Sequence, residues 1–143
     1  MSQIPKNTVS VSFKHITIDG RTFEGDFTFK VILSANEEDA IGRNRRAMLG
    51  GHVAHDGVLD SSDILAAQAR AEITIRAVPE IPTFWASQGA DLPREVIELL
   101  YEDMTMEINK TFNSMAKKVE EARSVLRLDR ERRRKENKDL SGV

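Results

Sequence analysis

The chain contains no cysteine, one tryptophan, one tyrosine and four prolines in 143 residues. Without cysteine there can be no disulfide framework and no thiolate zinc site. The longest unbroken apolar run is a few residues, so no transmembrane helix is expected. The opening MSQIPKNTVSVSF has no basic segment followed by an apolar run, so it does not read as a signal peptide. Internal repeats and low-complexity linkers are also missing. Glycine is absent from residue 91 to residue 139, and the only proline there is Pro93.

What is present is a long helical pattern. DLPREVIELLYEDM opens it, with Asp91 as the expected N-cap, Pro93 in the first turn and Glu95 behind it. Val96, Leu100, Met104, Ile108, Phe112, Met115, Val119, Ala122 and Leu126 follow at gaps of four and three, which places them on one helix face. From Ile108 onward the spacing is heptad-like. The stripe then stops, and DRERRRKENKD carries nothing apolar. A net charge of −2 hides an asymmetry. Residues 117–138 hold ten Lys/Arg and five Asp/Glu, a local charge of +5, against −7 for the rest. An acidic body with a basic end often marks an interaction tail.

Upstream, Val9, Val11 and Phe13 alternate with polar residues, as do Phe23, Phe27, Phe29 and Val31. Asp19-Gly20 reads as a two-residue hairpin turn between them. Ile16 and Ile18 occupy the opposite parity, which predicts a bulge near Lys14–His15. Gly25 lies on the aromatic face and marks a bulge or a close backbone approach. A helix follows with Asn36 as cap, Glu37, Glu38 and Asp39 in its first turn and Gly50-Gly51 at its end. Arg43, Arg45 and Arg46 make one side basic, while Ala40, Ile41, Met48 and Leu49 face inward.

SSDILAAQARAEITIRAV starts at a Ser61/Ser62 cap and is apolar along a broad side through Ile64, Leu65, Ala67, Ala69, Ala71, Ile73 and Ile75. Its β-branched end fits a strand, but continuity with the alanine run favours helix. Pro79 and Pro82 then impose an extended connection carrying Phe84 and Trp85. The expected class is α+β, mainly α: an N-terminal β-hairpin (8–33) and three helices (about 36–49, 61–78 and 92–128), the last long and extending from the body. Residues 1–128 form a single domain, and 129–143 form a charged helix end or tail that frays unless bound.

Chemistry leaves little trace. His52-x-x-His55, with Asp56, Asp60 and Asp63, has metal-ligand residue types but sits in a glycine-flanked loop, where a solvated loop is the ordinary reading. No glycine-rich phosphate loop follows a strand, and no nucleophile–base signature occurs. Glu98, Glu102 and Glu107 read as a solvated helix face. No enzyme, cofactor or metal is expected. Arg130–Lys135 is basic, but acids are interleaved with it and no aromatic accompanies it for base stacking, so nucleic acid is not the expected partner. Phe84 and Trp85 read as a plug between helices or as a partner anchor. Met104, Met106 and Met115 are core filler or an adaptable binding surface. The candidate partner-binding residues are Ile108, Phe112, Met115, Val119, Leu126, Phe84 and Trp85.

Four stretches in order carry a family resemblance: GRTFEGDFTFKV, AIGRNRRAMLGG, LAAQARAEITIRAVPEIPTFW and DLPREVIELLYEDM, together most of residues 20–106. They resemble the tail assembly chaperones of long-tailed (siphovirus-like) bacteriophages, in order and flavour rather than through one invariant motif. The basic end after Leu128 lies outside the resemblance. It implies a non-enzymatic protein of the host cytoplasm that binds the tape measure protein and keeps it soluble during tail tube assembly. It also implies that this chain is the short form, or the shared N-terminal part, of a frameshift-extended pair. Two other readings remain: a structural virion component, such as a tail or connector subunit in an oligomeric ring, and a small regulator using its basic end on nucleic acid.

Overall fold

The computed structural model describes the backbone of residues 7–56 and 60–141 and the side chains of 7–50 and 60–138. The elements are β1 (Thr8–Ile16), β2 (Thr22–Lys30), α1 (Ala35–Asp56), α2 (Ser61–Arg76), a short 3-10 turn (Thr83–Trp85) and α3 (Arg94–Ser141). The expected class therefore holds: a hairpin followed by three helices, the last one long.

β1 and β2 pair antiparallel without interruption from Thr8↔Lys30 to Ile16↔Thr22. There is no bulge near Lys14–His15. The strict alternation instead turns His15 inward, where it pairs with Glu95 at the start of α3, and leaves Ile16 largely exposed. The loop is also longer than a two-residue turn. The Thr17 amide donates to the Arg21 carbonyl at 2.8 Å and the Gly20 amide to the Thr17 carbonyl at 2.9 Å. Gly20 sits at φ +84, so Ile18-Asp19-Gly20 is the loop and glycine relieves its left-handed residue. At the open end, the Asn7 side chain accepts from the Ile32 amide (2.6 Å) and donates to its carbonyl (2.9 Å).

The inner face of the hairpin is aromatic. Phe27 and Phe29 stack at 5.3 Å, and Phe84 meets Phe23 and Phe27 edge-on. Trp85 is wholly buried against Phe27, and its indole N–H donates to Thr74 Oγ1 at 3.3 Å. The expected close approach at Gly25 is real: a Cβ there would run into the Pro82 ring. The 83–93 connection wraps Trp85 tightly. Gly89, at φ +83, has no room for a Cβ, which would lie 2.9 Å from the indole edge.

Helix ends differ from expectation in each case. Ser34, not Asn36, caps α1: the Ser34 amide donates to Glu37 Oε1 (3.0 Å) and the Glu37 amide to Ser34 Oγ (3.2 Å), a reciprocal capping box. α1 also does not end at Gly50-Gly51 but continues to Asp56, because glycine tolerates helical backbone as readily as the left-handed stop. Asp60 rather than Ser61 or Ser62 caps α2, accepting from the Ser62 amide. α3 starts at Arg94, with the Pro93 carbonyl accepting from the Val96 and Ile97 amides. Asp91 lies three residues before the helix, and Leu92, the residue before Pro93, is pushed away from helical backbone.

The alanine run and the β-branched end of α2 form one helix to Arg76, and the chain then adds to the sheet. Ala77 bridges Phe29, and the Val78 amide donates to the Thr28 carbonyl at 2.8 Å. Arg76 Nη1 donates to the carbonyls of Lys30 (2.8 Å) and Val31 (2.9 Å), fixing the end of β2 to α2. Ala67, Ala69, Ala71 and Ile73 are buried, whereas Ile64 and Leu65 are exposed near the helix start and are not core. Val96, Ile97, Leu100 and Met104 of α3 complete the core over the hairpin and α2.

Gly25→Ala is expected to destabilise the fold by about 1–3 kcal/mol, the usual range for overpacking, measured by urea unfolding. Glu37 supplies a pH test. Lys30 and the Ser34 amide hold its carboxyl below its ordinary 4.5, at about 2. A depressed folded-state value contributes stability that is full above the ordinary pKa and is lost as pH falls toward the folded one. The difference in thermal midpoint between wild type and Glu37→Gln should therefore be constant above about pH 5 and shrink between about 4.5 and about 2.

Candidate partner-binding surface

A 48-residue α3 is about 72 Å long at 1.5 Å per residue. The body covers only its first half. Val96, Leu100 and Met104 are fully buried, and Ile108 and Met115 nearly so. Past Met115, Val119 is half-buried, Ala122 is exposed, and Leu126 is 56% exposed. The face that holds α3 to the body thus continues beyond the body with nothing on it among the described residues. Val125 and Leu128, each 67% exposed, widen that surface.

The candidate residues divide along this line. Trp85 is enclosed and Phe84 is half-buried among Phe13, Phe23 and Phe27, so both rings pack into the body rather than on the overhang of α3. The 3-10 turn that follows Pro82 folds both rings onto the hairpin. Ile108 and Met115 are absorbed by the core cluster, as is Met104, while Met106 is half-exposed on another side. Phe112 (50% exposed), Val119 and Leu126 remain. Val125 and Leu128 were missed because they lie off the 4-3 stripe, although their own spacing of three was visible.

The charged end does not stop being helix at Leu128. Arg132 and Arg133 both reach Asp129 at 2.8 and 3.3 Å, and Arg127 reaches Glu120 at 2.6 Å. Pairs spaced three and four apart support an otherwise isolated helix by roughly 0.2–0.5 kcal/mol each. They also spend part of the basic charge locally, which weakens its use on phosphates.

Opposite in sign is the first half of α3. Glu102, Asp103 and Glu107 crowd one flank, and Asp103 is pushed above its ordinary value by partial burial and by the other two carboxylates. Lys110 reaches Glu107 at 3.5 Å. Asp103, Met106 and Glu107 line a groove of about 320 Å³ with Ser10, Val11 and Ser12 of β1.

Other chemistry finds no site. No group of three or more His or acidic residues is placed to hold a metal among the described residues. His52, His55 and Asp56 lie on the last turns of α1 rather than in a loop, and their side chains fall outside the described residues. No described helix is long and apolar enough to cross a membrane. The chain matches no protein-family model, no curated protein and no solved structure.

Leu126→Asp and Leu128→Asp should each leave unfolding free energy within about 0.5 kcal/mol of wild type, as exposed positions do. Leu100→Asp places a charge in the core and should abolish the cooperative transition. Denaturant titration followed by circular dichroism separates the two classes.

Proposed function

We propose that this protein is a non-catalytic assembly chaperone of a long-tailed bacteriophage that holds the helical tape measure protein until the tail tube forms around it. The observation that carries this reading is the apolar stripe of α3, which runs past the body and is left uncovered around Val119, Ala122 and Leu126. An amphipathic client helix lays its apolar face against such a surface through anchors at similar spacing. One such stripe is short, so many copies along one long client gain by avidity rather than by single-site affinity. The order of motifs over residues 20–106 supplies the phage context, and the body serves to present the stripe.

Co-expression with the proposed client, a long helical tape measure protein, followed by size exclusion, tests this. Wild type should co-elute with that protein and keep it soluble. Leu126→Asp, which leaves the body intact, should lose co-elution. Retained co-elution in Leu126→Asp would remove the stripe as the client surface. The gene should also carry a slippery heptamer near its stop codon. A protein found in mature virions in stoichiometric amounts would instead be a structural tail or connector subunit.

A further inference from the structure

One edge of the hairpin is covered and the other is not. The Val31 amide donates to the Asn7 carbonyl at 3.2 Å and the Thr17 amide to the Arg21 carbonyl at 2.8 Å. Bonded and non-bonded pairs alternate along an antiparallel ladder, so the unbroken register places the odd-numbered residues of β1 in bonded pairs with β2. The even-numbered residues turn their amides and carbonyls away from that partner. On β2 the outward groups are taken. Thr28, opposite Ser10, accepts from the Val78 amide at 2.8 Å, and Arg76 holds the carbonyls of Lys30 and Val31. On β1 the outward groups of Ser10, Ser12 and Lys14 have no protein partner among the described residues.

This edge carries few of the devices that keep an edge from pairing. β1 is nine residues long, pairs without a bulge and contains no proline, and its one lysine, Lys14, stands on the exposed outer face. Beside the edge runs α3. Its Asp103, Met106 and Glu107 form one wall of the groove of about 320 Å³ whose other wall is Ser10, Val11 and Ser12. That wall is acidic and half-apolar. Asp103 is half-buried with no cation in ion-pair reach among the described residues, and burial together with Glu102 and Glu107 pushes its carboxyl up. Glu107 meets only the exposed Lys110, at 3.5 Å. Met106 is half-exposed between them.

The geometry points to β1 as a docking edge for an extended segment of a partner protein, which adds as a third strand and presents a lysine or arginine to Asp103 and Glu107. Strand addition gives Ser10, Ser12 and Lys14 the backbone partners they lack. Side chains of the added strand that stand opposite Val9, Val11 and Phe13 lie on the same face as those residues, which is the face α3 packs on. Alternate positions of the segment therefore meet the acidic wall and Met106, and the positions between them face water beside Ser10, Ser12 and Lys14. Charge selects against a second copy. Antiparallel pairing of β1 with β1 of another copy sets both α3 helices on one face of the joined sheet, acidic flank against acidic flank. A cationic strand meets that flank with the opposite sign. The edge is separate from the α3 overhang, so it takes a different occupant from a helical client.

Titration of the full-length, nitrogen-15-labelled protein with the synthetic peptide acetyl-Thr-Lys-Thr-Val-Thr-Lys-Thr-amide at millimolar concentration, followed by amide resonances, tests this. The expected result is saturable shifts at Ser10, Ser12 and Lys14 and at Asp103 and Glu107, with slowed exchange of the Ser10, Ser12 and Lys14 amides. Binding should fall several-fold at 1 M salt, where the screening length is about 3 Å. Ser12→Pro removes an outward amide and leaves the bonds to β2 intact, so it should stay folded by circular dichroism and bind about tenfold more weakly. Asp103→Asn with Glu107→Gln should weaken binding by a similar factor while Ser12 remains available. No shift at these residues would overturn the proposal, as would equal binding of the peptide with glutamate in place of lysine, or undiminished binding by folded Ser12→Pro. Concentration-dependent shifts of Ser10 and Ser12 without peptide would assign the edge to a second copy and overturn it. Binding that emerges only after removal of residues 1–6 would assign the edge to the chain's own start and also overturn it.

Discussion

Everything in this molecule depends on the packing of one face of α3 over the hairpin and α2. A two-stranded sheet is marginal by itself, and among the described residues β1 and β2 have no third strand beyond the brief contact at Ala77 and Val78. Phe27, Phe29, Val11 and Phe13 are buried because Val96, Leu100 and Met104 lie across them and Trp85 closes the side. His15 and Glu95 join the same two elements at their rim. The helix, in turn, is held in place only where this core exists.

That dependence sets the limit of the body. Folding buries apolar surface in proportion to what the partner elements supply, and a hairpin of two nine-residue strands and a 16-residue helix cannot cover about 72 Å of α3. The stripe does not fade where the cover ends. It continues for about two more heptads and stops only at the charged segment. A surface of this kind is stable as helix through its local ion pairs and exposed by geometry, which is the combination an interaction arm requires.

The electrostatic layout follows the same division. The acid-rich flank of α3 lies where the helix is held, and the basic end lies where it is free. Within one copy the two are far apart along a rigid rod and cannot neutralise each other. Whatever covers the arm therefore meets an apolar strip with a positive end.

The sequence by itself determined the elements and the register of their apolar faces. Alternation at Val9–Phe13 and Phe23–Phe29, the alanine run of α2 and the 4-3 stripe of α3 were legible because period reports directly on which face is buried. The close approach at Gly25 was legible for the same reason, since a glycine on an aromatic face needs an explanation. The caps were less so: Ser34 with Glu37 carries a full capping-box pattern, yet Asn36 and its acidic neighbours offered a competing start. The hairpin loop and the fate of Gly50-Gly51 depended on hydrogen bonds that local residue preference leaves undecided. Only the tertiary structure decided where along α3 the core ends, because that is set by the length of the elements packed against it and not by the helix itself. The same packing withdrew Trp85, Ile108 and Met115 into the body and left Val119, Ala122 and Leu126 outside. One continuous stripe in the sequence became two surfaces, one spent on folding and one open to a partner.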